Sequence, residues 1–139
     1  MLDPSAKTQI SELLARSAYA LDHKDLDALE ATFTEAATFT LVIDGVAEPS
    51  VFEGREAIMG LMKGALDQQT DLRRHVLSNV FYAQESADSA TVLAYLTLMA
   101  TEHGNTQLIT TGLYTDQVSR SVDGQWLIAN RHLKLDRPY

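Results

Sequence analysis

A chain of 139 residues carrying a net charge of −8 has the length of one domain with a real core, and it lacks the Lys and Arg clusters that nucleic acid or an anionic membrane surface would require. It contains no cysteine, which excludes disulfides, thiolate chemistry and zinc or iron-sulfur sites built on thiolate sulfur. No apolar run approaches the roughly 18 residues of a membrane span, and MLDPSAKTQ lacks the pattern of a signal peptide, so the expected compartment is the cytoplasm and the expected ligand a neutral or weakly polar small molecule.

Asp3 and Pro4 mark a helix start, the carboxylate capping free amides and the proline tolerated in the first turn. Ile10, Leu13, Leu14, Ser17, Ala18 and Leu21 then keep helical spacing and form one stripe, with Tyr19 and Asp22 beside it. A second short helix is expected from about Asp25, with Leu26, Leu29 and Phe33 inward. From Ala37 the pattern changes to a hairpin, Thr38 to Ile43 turned at Asp44-Gly45 and returning through Val51 and Phe52. Arg55 to Leu66 reads as a third helix with Ile58, Leu61, Met62, Ala65 and Leu66 on its buried side, weakened by Gly60 and Gly64.

After Asp71 the chain reads as strand. Long strands are expected from Leu72, from Ala90 to Thr101, from Gln107 to Arg120 and from Gln125 to Leu135, turned at His103-Gly104-Asn105 and Asp123-Gly124, with a loose tail from Asp136 to Tyr139. The whole, residues 1–139, is one α+β domain whose bent antiparallel sheet curls around the helices as a cone-shaped barrel with a pocket.

In LRRHVLSNVFY a period of two places Arg73, His75, Leu77, Asn79 and Phe81 on one face. A neutral imidazole at His75 on an apolar wall suits a general base; the alternative is a core histidine bonded to a backbone carbonyl. The last strand puts Leu127, Ala129, Arg131, Leu133 and Leu135 together, and a guanidinium among aliphatic residues needs a carboxylate or a ligand oxygen. Asp22 is available to pair with Arg131 or with His75, or to remain a solvated helix-end residue. Tyr19 and Tyr114 are candidate phenol donors or ordinary packing, and Asn79 a candidate donor to a ligand oxygen or a bridge between backbone groups. His23, His103 and His132 show no metal-ligand spacing, and no phosphate loop or serine elbow is present.

The element order, with YALDHKDLDAL near the start, RRHVLSN in the middle and WLIANRHLKLD at the end, resembles the SnoaL-like family, within the superfamily typified by nuclear transport factor 2 and ketosteroid isomerase. It is most similar to the branch of scytalone dehydratase, the bile-acid dehydratases and the hexachlorocyclohexane dehydrochlorinase. That resemblance implies a dyad of Asp22 with His75, a pocket arginine at Arg131, a pocket tyrosine at Tyr19 and lining positions at Asn79 and Tyr114. No metal and no cofactor is expected. A scytalone-dehydratase second strand histidine, the ketosteroid isomerase acids and the limonene-type Asp-Arg-Asp set are not found here.

These readings together point to a cofactor-independent lyase or isomerase, dehydratase- or cyclase-like, acting on a small, mostly apolar cyclic or polyketide-like molecule through His75 and Asp22. The alternative is a noncatalytic ligand-binding or assembly module of the same fold, including a small subunit of a ring-hydroxylating dioxygenase. Self-association as a homodimer or homotrimer is expected on family grounds and from an outer sheet face carrying Leu93, Tyr95, Met99, Trp126 and Ile128.

Overall fold

The computed structural model describes residues 1–139. Asp3 accepts a hydrogen bond from the Ala6 amide at 2.8 Å and Pro4 opens the first turn of α1 (Pro4–Asp22). Its buried stripe is Ile10, Leu13, Leu14, Ser17 and Ala20. Lys24, at φ 55, ends the helical path, and Asp25 caps the short α2 (Leu26–Glu30) through the Ala28 amide. Phe33, expected on that helix, instead begins β1 (Phe33–Ile43), where it is fully buried. The two-turn pattern of Leu26, Leu29 and Phe33 thus straddles a helix end and a strand start.

β2 (Ser50–Glu53) returns antiparallel to β1, Thr38 opposite Glu53 and Leu41 opposite Ser50. Gly54, at φ 90, leads into α3 (Arg55–Gln68), where Ile58 and Leu66 are the buried anchors. Four long strands follow: β3 (Leu72–Glu85), β4 (Ser89–Glu102), β5 (Asn105–Arg120) and β6 (Trp126–Leu135). The β4–β5 turn is a two-residue hairpin of His103 and Gly104, both at positive φ, which matches the right-handed twist of the flanking strands.

The sheet order is β2-β1-β6-β5-β4-β3. The expected all-antiparallel sheet needs one correction: β6 pairs parallel with β1, Phe39 beside Arg131 and Leu41 beside Leu133, so the last strand is inserted between the first hairpin and the meander. The sheet curves without closing, α1 packing against β3 and β6 and α3 against β1 and β2, while α2 packs on α1 and α3. Gly112 on β5 lies close against β6. A Cβ there would sit 2.6 Å from the Lys134 carbonyl oxygen of β6.

Two bulges rearrange the faces that simple alternation assigns. On β3 the register slips between Ser78 and Phe81, with Asn79 at φ 56, so Phe81 turns outward and Tyr82 turns in to donate to the Lys7 carbonyl. On β6 one extra residue, Ala129, lies between the Asn130–Gln117 and Ile128–Val118 pairs. Trp126 and Ile128, expected on the outer face, are therefore core residues at 5% and 0% exposure. Tyr95 does remain outside, with Leu72, Val76 and Leu108 as further exposed apolar side chains of the sheet.

The tail is not loose. The Thr110 hydroxyl donates to the Arg137 carbonyl at 2.9 Å, the Thr111 hydroxyl to Asp136 Oδ2 at 2.6 Å, and the Asp136 amide to the Thr111 carbonyl. These bonds return the chain over the end of the sheet. No helix is long and apolar enough to cross a membrane.

Candidate functional site

Between the concave face, α1 and α3 lies an open cavity. Fifteen of its 19 lining residues are hydrophobic, supplied by every layer of the fold: Leu29 from α2, Phe39 from β1, Met62 from α3, Leu96 from β4 and Leu133 from β6. Polar groups enter this wall at few points, so their placement decides what the cavity can bind.

His75 is the fourth residue of β3 and lies opposite Leu98 of β4, facing inward. Asp22 is the last residue of α1, and the packing of α1 on β3 brings its carboxylate over the strand. It accepts from the His75 backbone amide at 3.0 Å and lies 2.5 Å from the ring Nδ1. An ionised carboxylate accepting from Nδ1–H fixes the tautomer and leaves the Nε2 lone pair free. Nε2 has no hydrogen-bond partner, and since no buried side-chain nitrogen or oxygen is left unpaired, this atom must reach the open space of the cavity.

Arg131 is only 5% exposed. Its Nε and Nη2 donate to the two oxygens of Asp116 at 3.0 and 2.9 Å, and Nη2 also reaches Ser17 Oγ at 3.3 Å. Burial lowers the guanidinium pKa, but the charge and hydrogen bonding of Asp116, with Tyr114 adding, together outweigh it and hold the group above its ordinary value. By the same reasoning as for His75, the unpartnered Nη1 opens to the cavity. Its guanidinium stacks 4.4 Å above the Tyr114 ring. The Tyr114 hydroxyl is likewise unpartnered and accessible; burial pushes its pKa up to about 12, Arg131 pulling it down and Asp116 and Asp22 adding to the rise. At neutral pH it is a hydrogen-bond donor.

The structure thus brings together Asp22, His75, Arg131 and Tyr114 of the sequence-derived candidates. Two others lie elsewhere and are corrected. Tyr19 points away from the cavity, 66% exposed and stacked on His23 with ring centroids 4.0 Å apart, because it lies on the outer side of α1. Asn79 is exposed in the β3 bulge, where the local left-handed backbone takes it off the inward face. Arg131 pairs with neither Asp22 nor His75 but with Asp116, a residue the sequence reading passed over. Its signal was present: Thr110, Gly112, Tyr114, Asp116 and Val118 alternate as one buried face of β5. Arg73, held by Asp71 at 2.9 Å, and Tyr139 of the tail complete the mouth. No group of three or more His, Cys, Asp or Glu side chains is arranged to hold a metal.

Residues 4–132 match the model of the SnoaL-like domain. Among solved structures, a protein of unknown function with a cystatin-like fold from Nostoc punctiforme PCC 73102 is 27% identical at a TM-score of 0.80, covering 97% of this chain and 94% of that one. ActVI-ORFA from Streptomyces coelicolor is 21% identical at 0.80, covering 94% and 98%. The beta subunit of a proposed aromatic-ring-hydroxylating dioxygenase from Novosphingobium aromaticivorans DSM 12444 is 17% identical at 0.83, covering 97% and 92%. The latter two share the fold at identities too low to carry a function. No curated protein sequence resembles the chain closely enough to count as a relative.

Proposed function

The chain belongs to the SnoaL-like family, and from that premise we propose that it is a cofactor-independent lyase or isomerase acting on a small, mostly apolar cyclic or polyketide-like molecule. The observation that carries this reading is the 2.5 Å contact of Asp22 with His75 Nδ1 at the wall of an apolar cavity, with Nε2 left open. Nε2 takes a proton from a substrate carbon, and Asp22 stabilises the imidazolium that forms. Arg131 Nη1 and the Tyr114 hydroxyl donate to the oxygen on which negative charge develops. Return of the proton to another atom gives isomerisation; departure of water or another group gives elimination.

The test is proton exchange in D2O, followed by nuclear magnetic resonance over a panel of cyclic ketones. Wild type is expected to exchange α-protons of at least one ketone, and His75→Ala and Asp22→Asn each to lose that exchange by about 10²-fold or more. Full exchange in either variant would end the proposal.

The exposed Leu72, Val76, Tyr95 and Leu108 favour a second reading, an assembly module in which the buried polar groups are structural. In that case replacing both His75 and Asp22 lowers the melting temperature and leaves ligand affinity unchanged.

A further inference from the structure

The charges around the cavity close in pairs. Arg131 is neutralised by Asp116, and Arg73 by Asp71. Asp22 has only the imidazole of His75, so with that ring neutral the walls carry one unbalanced negative charge. None of the other residues lining the cavity adds a compensating charge: α3 contributes Leu61, Met62 and Leu66, and β4 contributes Leu96 and Leu98, while Lys24 is solvent-exposed outside the lining with its ammonium donating to the Gln69 carbonyl at 3.0 Å. Tyr114 of β5 is an uncharged phenol at neutral pH.

Arg131 therefore offers the cavity N–H groups without offering net positive charge. A guanidinium whose counter-ion is already bound in both Nε and Nη2 positions acts on a ligand as a hydrogen-bond donor, and so does Tyr114. A carboxylate entering would add a second uncompensated negative charge to walls that are mostly hydrocarbon. A ketone or phenol oxygen would not. One event changes this balance: a proton on His75 cancels the Asp22 charge and makes room for one anion.

We propose that the cavity selects uncharged ring ketones and phenols, and that it takes an anion only together with a proton on His75. The proposal rests on the reading of this cavity as the substrate site and defines its substrate class. It also assigns the paired Asp116 a role in specificity, because an unpaired Arg131 would draw carboxylates in. The oxyanion of a proton-transfer step meets the condition by construction, since the proton it has lost is the one on His75.

Isothermal titration of 2-naphthol and 2-naphthoate, one ring system with two head groups, tests this at about pH 5 and about pH 8, the two ends of the range in which imidazoles change charge. Naphthol affinity is expected to stay constant within about twofold, while naphthoate weakens about tenfold or more at the higher pH. Repeating the naphthoate titration in buffers of different ionisation enthalpy should show uptake of about one proton in wild type and none in His75→Gln. Naphthoate binding as tight as naphthol at the higher pH, naphthoate binding without proton uptake, or binding of neither ring overturns the proposal. Selective naphthol binding without α-proton exchange would remove the catalytic reading and leave this one standing; exchange with tight naphthoate binding would do the reverse.

Discussion

Replacement of Asp116 by leucine is the sharpest test of how this interior is held together. Asp116 is fully buried and Arg131 nearly so, and the two share hydrogen bonds of 3.0 and 2.9 Å. Charge-assisted bonds contribute about 1.5 to 3 kcal/mol each, so their loss costs about 3 to 6 kcal/mol. Breaking a buried ion pair by removing one partner costs about 3 to 5 kcal/mol, the same range reached independently. Nη1 opens to the cavity, so some water can reach the abandoned guanidinium, and the lower end, about 3 kcal/mol, is expected. For a domain of this size that lowers the melting temperature by about 10 °C. Urea unfolding followed by circular dichroism should show a lower midpoint with an unchanged slope. In Asp116→Leu with Arg131→Leu most of the loss should be recovered, because two apolar side chains leave nothing unpaired. A cost below about 1 kcal/mol for the single variant, or a double variant less stable than the single, would refute the account of this pair.

Three further outcomes are expected. Gly112→Ala puts a methyl group 2.6 Å from the Lys134 carbonyl oxygen, a backbone atom, so β5 and β6 must part at a cost of about 1 to 3 kcal/mol, measurable by thermal melting; an unchanged melting temperature would mean that the strands are not held this close. The Glu85 carboxyl is held below its ordinary value by the Leu2 amide and, more weakly, by Lys7, while what burial it has opposes this. Its stabilisation is therefore complete above the ordinary carboxylate range and is lost as pH falls through the depressed value; Glu85→Gln should be less stable than wild type at neutral pH and converge with it in acid. The Tyr114 phenol, raised by burial to about 12, keeps its proton in the folded state where an unfolded tyrosine loses it from about 10. Stability should fall as pH rises through that window, less steeply in Tyr114→Phe, and ultraviolet titration should show one phenol ionising last; simultaneous titration of all five tyrosines would contradict the burial argument.

Local signals were legible in the sequence wherever one residue type has one structural use. Asp3-Pro4, Asp25 and His103-Gly104 lie where the chain needs a cap or a tight turn. What alternation could not supply was phase. The extra residue between Ser78 and Phe81 of β3 and the one at Ala129 of β6 exchange the faces next to them, and neither Asn79 nor Ala129 announces itself as a bulge. That slip is why Trp126 read as surface and Asn79 as pocket. The pairing of β6 with β1 was hidden for a different reason, since partners so distant along the chain leave no periodic trace in either segment. Arg131 demanded a carboxylate from its aliphatic neighbours alone, and the register of β5 decided that Asp116 answers it.

The parallel insertion of β6 has a consequence for the order of events during synthesis. Phe39 finds its partner Arg131 only once β6 is made, long after β1, and until then β1 and β5 are two separated sheet edges with nothing between them. Translation therefore exposes a hairpin and an unfinished meander until β6 has been made, and the loop to be closed is long, which slows that step. The same late strand carries the guanidinium that leaves Asp116 unneutralised until it arrives. Ribosome-bound chains truncated before Trp126 should accordingly remain protease-sensitive, and resistance should appear abruptly once Leu135 has cleared the exit tunnel.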